Sequence, residues 1–274
     1  MRAGVATKTN PSEIRSRPDC VISVRDRKDI ACILDPDVVA VIAEPSRVEP
    51  WTEELSYAVS RGECAVPRTI LDGVALADIA QFLSQLLDAS RLPDALRTAL
   101  RADLLSLAAC CADLTGAKRL RFRFFTDIPN GRCSYHVDVV PPGAPTAALI
   151  RVYCGARTEY VDPGNVASWE EFYSWEYTRK REVQAAAEAR ARSDLAAEER
   201  ALYRLDRLDS KLSFLIRPSD FRIVPPHALV ACKFVDSKLL SDCTHVRARA
   251  ARGWIHRSPM SGTARCVATV NGLK

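Results

Sequence analysis

The chain has 274 residues, enough for one large domain or two small ones with a proper core, and its 47% apolar and 27% charged residues are an ordinary globular balance. A net charge of +5, with basic residues spread among acidic ones, leaves no nucleic-acid footprint. Residues 1–19 are polar, with Ser, Thr, Asn and Pro and no apolar run of signal-peptide length, and no stretch approaches the roughly 20 uninterrupted apolar residues of a membrane span, which predicts a soluble, cytoplasmic protein with a flexible N-terminus and no membrane partner. The ten cysteines are scattered without a CxxC pair, a pattern of reduced thiols.

From Cys20 the order is strand (Val21–Val24), short helix (Arg27–Leu34) and a buried strand (Val38–Ile42) bounded by Asp-Pro-Asp and Glu-Pro. Trp51, Leu55 and Val59 have helical spacing between Pro50 and Arg61, with Gly62 as a stop. Two helices with apolar stripes follow, Leu76–Ala89 and Pro93–Leu114, the second opened by proline and closed near Gly116. At Arg119 the period changes to two: Leu120, Phe122 and Phe124 alternate with Arg119, Arg121 and Arg123, a strand with one buried face and one charged face taken as solvent-facing. Asp127–Gly131 is a loop, Pro141–Pro145 another, and Ala147–Tyr153 a strand on which Arg151 and Tyr153 share a face. Residues 168–214 break the β pattern. Thr178–Leu208, rich in Ala, Glu, Arg and Leu without Gly or Pro, reads as one long helix or a helical hairpin, a solvated insertion whose alternatives are a lid or a homodimer surface. Strands return at Phe221–Val224, His227–Val235, Trp254–Pro259 and Ala264–Val270.

The chemistry concentrates in Cys133-Ser-Tyr-His136-Val-Asp138. In an extended segment His136 and Asp138 project from one face, so both can reach one ion. A two-His, one-carboxylate site needs one further imidazole and leaves positions open on ferrous iron. The chain has four His. His256, in Trp254-Ile-His-Arg-Ser-Pro259, is the best candidate, and Arg265, whose planar guanidinium can fork onto a carboxylate, lies nine residues on. His227 and His245 read as structural or surface residues, and Arg257, next to His256, would project to the other face. Cys133 would join the metal, and favour zinc, only through a turn or bulge near Ser134.

An HxD pair, a distant His and an Arg about nine residues later resemble the Fe(II)/2-oxoglutarate oxygenases. With the proline-rich loop, the Arg151 strand and Gly155-x-x-Thr158-Glu159, the pattern resembles the first strands of a cupin-like double-stranded β-helix, or jelly roll. From roughly Cys20 to Asn271 the chain also resembles the domain-of-unknown-function 1826 family, for which no reaction is established and whose bacterial members tend to lie beside zinc metallochaperone GTPases. It departs from that family in Ala156-Arg157, where a Gly-rich turn is favoured, and in a long, charged insertion.

The resemblance implies an α+β fold: a single double-stranded β-helix domain over residues 20–274, buttressed by α/β support at 20–116 and carrying a helical insertion at 168–214. It implies a dioxygenase in which His136, Asp138 and His256 bind Fe(II), Arg265 pairs with the distal carboxylate of 2-oxoglutarate, and Tyr153, Arg151 or Ser258 assists, with Thr158 or Glu159 on the adjoining hairpin. The substrate, small molecule or protein, is left open. The alternative is a non-catalytic zinc-binding protein of metal homeostasis using the same His/Asp site.

Overall fold

The computed structural model describes residues 20–128, 133–241 and 252–274; the N-terminal 19 residues and His245 lie outside them. In chain order the elements are β1 (Cys20–Val24), a 3-10 helix (Arg27–Leu34), β2 (Val38–Ala43), α1 (Trp51–Ser60), β3 (Thr69–Val74), α2 (Leu76–Asp88), α3 (Asp94–Thr115), β4 (Arg119–Asp127), β5 (Val139–Val140), β6 (Ala147–Cys154) and β7 (Glu159–Tyr160). Helices α4 (Trp169–Ala191) and α5 (Leu195–Lys211) follow, then β8 (Arg222–Ile223), β9 (Leu229–Lys233), β10 (Val235–Asp236), the short α6 (Lys238–Ser241), β11 (His256–Arg257) and β12 (Arg265–Leu273). The fold is mixed α and β around one large sheet. No described helix is long and apolar enough to cross a membrane, and no disulfide links the described cysteines.

The large sheet has seven strands in the order β1-β2-β9-β6-β12-β4-β3, antiparallel except for β1 on β2. A smaller sheet, β11-β7-β8, is extended by an isolated bridge between His136 and His256, and β5 pairs with β10. Strand β3 lies at the edge, opposite β4, and its Thr69-Ile-Leu-Asp-Gly-Val run has no sustained alternation of apolar and polar residues to signal it in the sequence. Because side chains alternate along each strand, the large sheet buries two separate cores. Leu120, Phe122, Phe124, Leu149, Tyr153, Cys266 and Ala268 face the helices, where α2 and α3 present Ile79, Leu83, Leu87, Leu96, Leu100 and Leu104 at helical spacing. Phe125, Ile150, Val152, Val230 and Val267 face the small sheet and meet Tyr160 and Trp254.

The insertion is a helical hairpin. Its root is not solvated: Phe172 and Trp175 of α4 pack with Phe214 and Leu215 on the outer face of the small sheet, against Tyr135, Val137, Val161 and Ile255. Farther out, Ala186 and Ala189 on α4 and Ala201 and Leu205 on α5 are buried. Three ion pairs cross the hairpin, Arg190 with Glu198 among them. Arg179 makes a two-pronged pair with Asp209 at 2.7 and 2.9 Å, and Arg204 reaches Glu182 at 2.9 Å. A helix charged all round in sequence therefore has an inside, because alanine spacing lets the two backbones close while long side chains reach around them.

On the helix side of the large sheet one polar knot is buried. Asp103 of α3 accepts from Arg151 Nη1 at 2.5 and 2.7 Å and from the Tyr153 hydroxyl at 2.7 Å. Truncating only the carboxylate strands a guanidinium that is 5% exposed, a loss of about 3–5 kcal/mol for a broken buried pair. Urea titration of Asp103→Ala is expected to show a destabilisation of that order, with much of it recovered in Asp103→Leu combined with Arg151→Met.

Candidate metal centre

His136 and His256 meet through a reciprocal backbone pair: His136 N–H donates to the His256 carbonyl at 2.9 Å, and His256 N–H donates back at 3.0 Å. Directly opposed residues in such a pair put their side chains on the same face, and the imidazole centroids are 4.5 Å apart. Asp138 lies two residues past His136, on the same side. The stretch expected as one strand is regular only at this bridge and at β5, but the alternation that aligns His136 with Asp138 persists. His256 Nε2 is 3.5 Å from one Asp138 oxygen and His136 Nε2 is 3.9 Å from the other. One ligand atom from each of the three residues lies within 4.8 Å of the others. Neighbouring ligands on one ion with bonds of about 2.1 Å sit roughly 3–3.5 Å apart, so small adjustments complete the set.

The donor chemistry also fits a metal. Nδ1 of His136 is 2.8 Å from the Ser134 carbonyl and Nδ1 of His256 is 3.0 Å from that of Trp254. A carbonyl only accepts, so each Nδ1 carries the proton and each Nε2 keeps its lone pair toward Asp138. The Trp254 ring stacks on His256 with centroids 4.4 Å apart and planes 16° from parallel, fixing the buried imidazole. Burial, then the neighbouring His256, pushes the His136 imidazole down to about 4. Burial alone would raise the Asp138 carboxyl, but in the metal-free protein a His256 that also carries a proton on Nε2, through its hydrogen bond and charge, then His136 and Arg123, holds it well below the usual carboxylate range. Both shifts keep the ligands in their metal-binding protonation states.

Arg265 opens β12 on the face shared with Val267, toward the small sheet. Gly155, at φ +82°, forms the turn beside it; a Cβ there would lie 1.9 Å from the Ala264 carbonyl oxygen. Arg265 is 4% exposed, its nearest ion partner is Asp127 at 3.5 Å, and its Nε and Nη1 have no hydrogen bond. Buried donors are normally paired, so these open nitrogens call for an explanation; Nε of Arg101, Arg123 and Arg151 share the condition.

The side of the sheet on which each other candidate falls decides its part, correcting some expectations and agreeing with others. Arg151 and Tyr153 do share a face, but it is the helix face, where Asp103 engages both; they are not near the metal set. Glu159 pairs outward with Arg257, which stacks over Tyr135 at 4.3 Å, whereas Thr158 is buried. Ser258 follows β11 and is partly exposed. His227 sits in a turn at φ +59° and takes no part in the metal set. The thiol of Cys133 is not among the converging atoms. Arg123, taken as solvent-facing, points between the sheets. The sequence signal was its alternation with Phe122 and Phe124, which names the opposite face without saying what covers it. Glu176, at the root of α4, is buried and ion-paired with Lys180 at 2.8 Å; burial first, opposed by Lys180 and aided by Asp138, pushes its carboxyl up.

A mixed α and β protein with a possible His/Asp metal site is the class that this architecture defines. The chain belongs to the DUF1826 family, described as a protein of unknown function, which matches residues 25–203 and thus includes His136 and Asp138 but stops before His256. No curated protein matches the sequence. Among solved structures, the dioxygenase for auxin oxidation (DAO) in rice aligns with a TM-score of 0.42 and 11% identity over 94% of this chain and 83% of that one, a likeness too distant to carry an argument.

Replacing His136, Asp138 or His256 by alanine is expected to weaken binding of a divalent metal by at least about 100-fold, the upper end of what losing a mere outer partner costs, while Cys133→Ser leaves it unchanged; competition against a chelating dye measures both. The low His136 value also sets a pH dependence for the metal-free protein. Between pH 6.5 and about 4 the unfolded chain binds the proton that native His136 refuses, so stability falls as pH falls through that window. His136→Gln is expected to flatten this part of the curve in chemical denaturation.

Proposed function

We propose that this protein is a non-haem Fe(II)/2-oxoglutarate-dependent oxygenase that hydroxylates a C–H bond of its substrate. The observation that carries the reading is an all-nitrogen-and-oxygen donor set on the small sheet, together with a buried guanidinium, Arg265, that lies on the large-sheet face turned toward it and lacks hydrogen bonds on Nε and Nη1. Two imidazoles and one carboxylate suit ferrous iron and leave positions for further ligands, whereas a site closed by thiolate would favour zinc.

Strand order supports a double-stranded β-helix from β4 to β12 as the core. Successive segments pass between the sheets: β4 in the large one, the His136 segment in the small one, β6 large, β7 and β8 small, β9 large, β11 small, β12 large. The last strand closes beside the first, as a jelly roll requires. On this reading residues 20–274 form one domain, with 20–116 as support and 168–214 as an insertion.

When bound, iron, 2-oxoglutarate and oxygen supply the oxidising power, converting the co-substrate to succinate and carbon dioxide and a C–H bond to C–OH. The protein's own residues bind and orient. His136, Asp138 and His256 would hold the metal, with Trp254 stacked against the last. Arg265 would fork onto the distal carboxylate of the co-substrate. The apolar pair Phe125 and Val267 on the same face excludes water beside it.

Anaerobic addition of Fe(II) and then 2-oxoglutarate is expected to give the visible charge-transfer band of a chelated complex. Arg265→Gln should retain the metal but weaken 2-oxoglutarate by about 10–100-fold, the worth of hydrogen bonds to a charged group. Tight zinc retention with no such band would overturn the reading in favour of a zinc-binding protein of metal homeostasis.

A further inference from the structure

Arg123 on β4 and Thr269 on β12 are direct cross-strand partners on the face toward the small sheet. Arg123 Nε and Thr269 Oγ1 are both shielded from solvent and neither has a hydrogen bond, although both residues are only half-buried. Neighbouring Arg121, in contrast, is satisfied by Asp72 at 2.6 and 3.1 Å. A guanidinium edge and a hydroxyl, paired across the strands and both without a hydrogen bond on the face toward the small sheet, offer an anion two donors of the same chemistry as Arg265.

The two positions are separate. Thr269 lies four residues from Arg265 along β12, about 13 Å of strand, with Val267 and Phe125 paired between them. The five-carbon chain of 2-oxoglutarate cannot join a carboxylate at each while also chelating a metal between them. Arg123 instead lies two residues from Phe125 along β4, on the face turned toward the sheet that carries His136 and His256. One positive charge and one hydroxyl match a monoanion, and nearby Asp138 disfavours a dianion such as phosphate.

We propose that Arg123 and Thr269 form the substrate's anchor, and that the substrate of this protein is a small molecule bearing a carboxylate. The inference rests on the oxygenase reading for the word substrate; the anion position itself does not.

The test is a nitrogen-15 NMR titration of the zinc-loaded protein with 2-oxoglutarate present, following the Nε–H resonances of Arg123 and Arg265. The probe is acetate, small enough to be indifferent to the shape of the rest of the pocket, with acetamide as its neutral match. Acetate is expected to produce a saturable shift of the Arg123 resonance and acetamide none. Thr269→Val should weaken acetate by at least about tenfold without changing affinity for zinc or 2-oxoglutarate, and Arg123→Gln should abolish the acid preference at saturating zinc and 2-oxoglutarate. An unmoved Arg123 resonance would overturn the inference. So would loss of zinc or 2-oxoglutarate in Thr269→Val, which would make the pair a support for the metal centre or for the co-substrate. Failure of the oxygenase reading shows elsewhere, as an Arg265 resonance that 2-oxoglutarate does not move.

Discussion

The candidate site depends on one pair of backbone hydrogen bonds, exchanged between His136 and His256 at 2.9 and 3.0 Å. They join a segment that follows β4 to one that precedes β12, two strands that are themselves paired in the large sheet. A hydrogen-bonded pair fixes both backbone positions and both side-chain directions, so the imidazoles meet without either needing a special rotamer. Asp138 then joins through period two. Everything else at the centre adjusts this arrangement: carbonyls set the tautomers, and Trp254 limits rotation of His256.

The large sheet buries polar groups on both of its faces. On its helix side Asp103 accepts from both Arg151 and Tyr153, which ties β6 to α3, although Arg151 Nε keeps no partner. On the other side Arg265, Arg123 and Thr269 keep buried atoms with no partner. Buried donors in folded proteins are normally paired, and an unpaired one costs about 1–3 kcal/mol. The two assignments made from sequence are thus separated by the sheet: Arg151 and Tyr153 engage Asp103 on the helix face, whereas Arg265 lies on the face toward the small sheet and has no described carboxylate closer than Asp127 at 3.5 Å.

The helical hairpin illustrates the limit of patterns read along one chain. Residues 178–208 look charged all round because each helix presents ion-pairing residues on its flanks, and only the partner helix defines which are inside. Its aromatic root, Phe172 and Trp175, covers the outside of the small sheet, so the hairpin stiffens the wall that carries His136 and His256.

Period and local chemistry were enough to determine several things from sequence. Leu120, Phe122 and Phe124 form one strand face, Pro93 and Gly116 bracket α3, and His136 and Asp138 point the same way, because each of these is set by neighbours a few residues off. The family was legible too, from motifs lying close together in the chain. What alternation cannot say is which face of a strand meets helices and which meets the second sheet, since both are buried and look alike in sequence. Only the tertiary structure decided that Arg151 and Tyr153 turn away from the metal set, that Arg123 turns toward it, and that His256 arrives beside Asp138, because those outcomes depend on pairing between strands far apart in the chain.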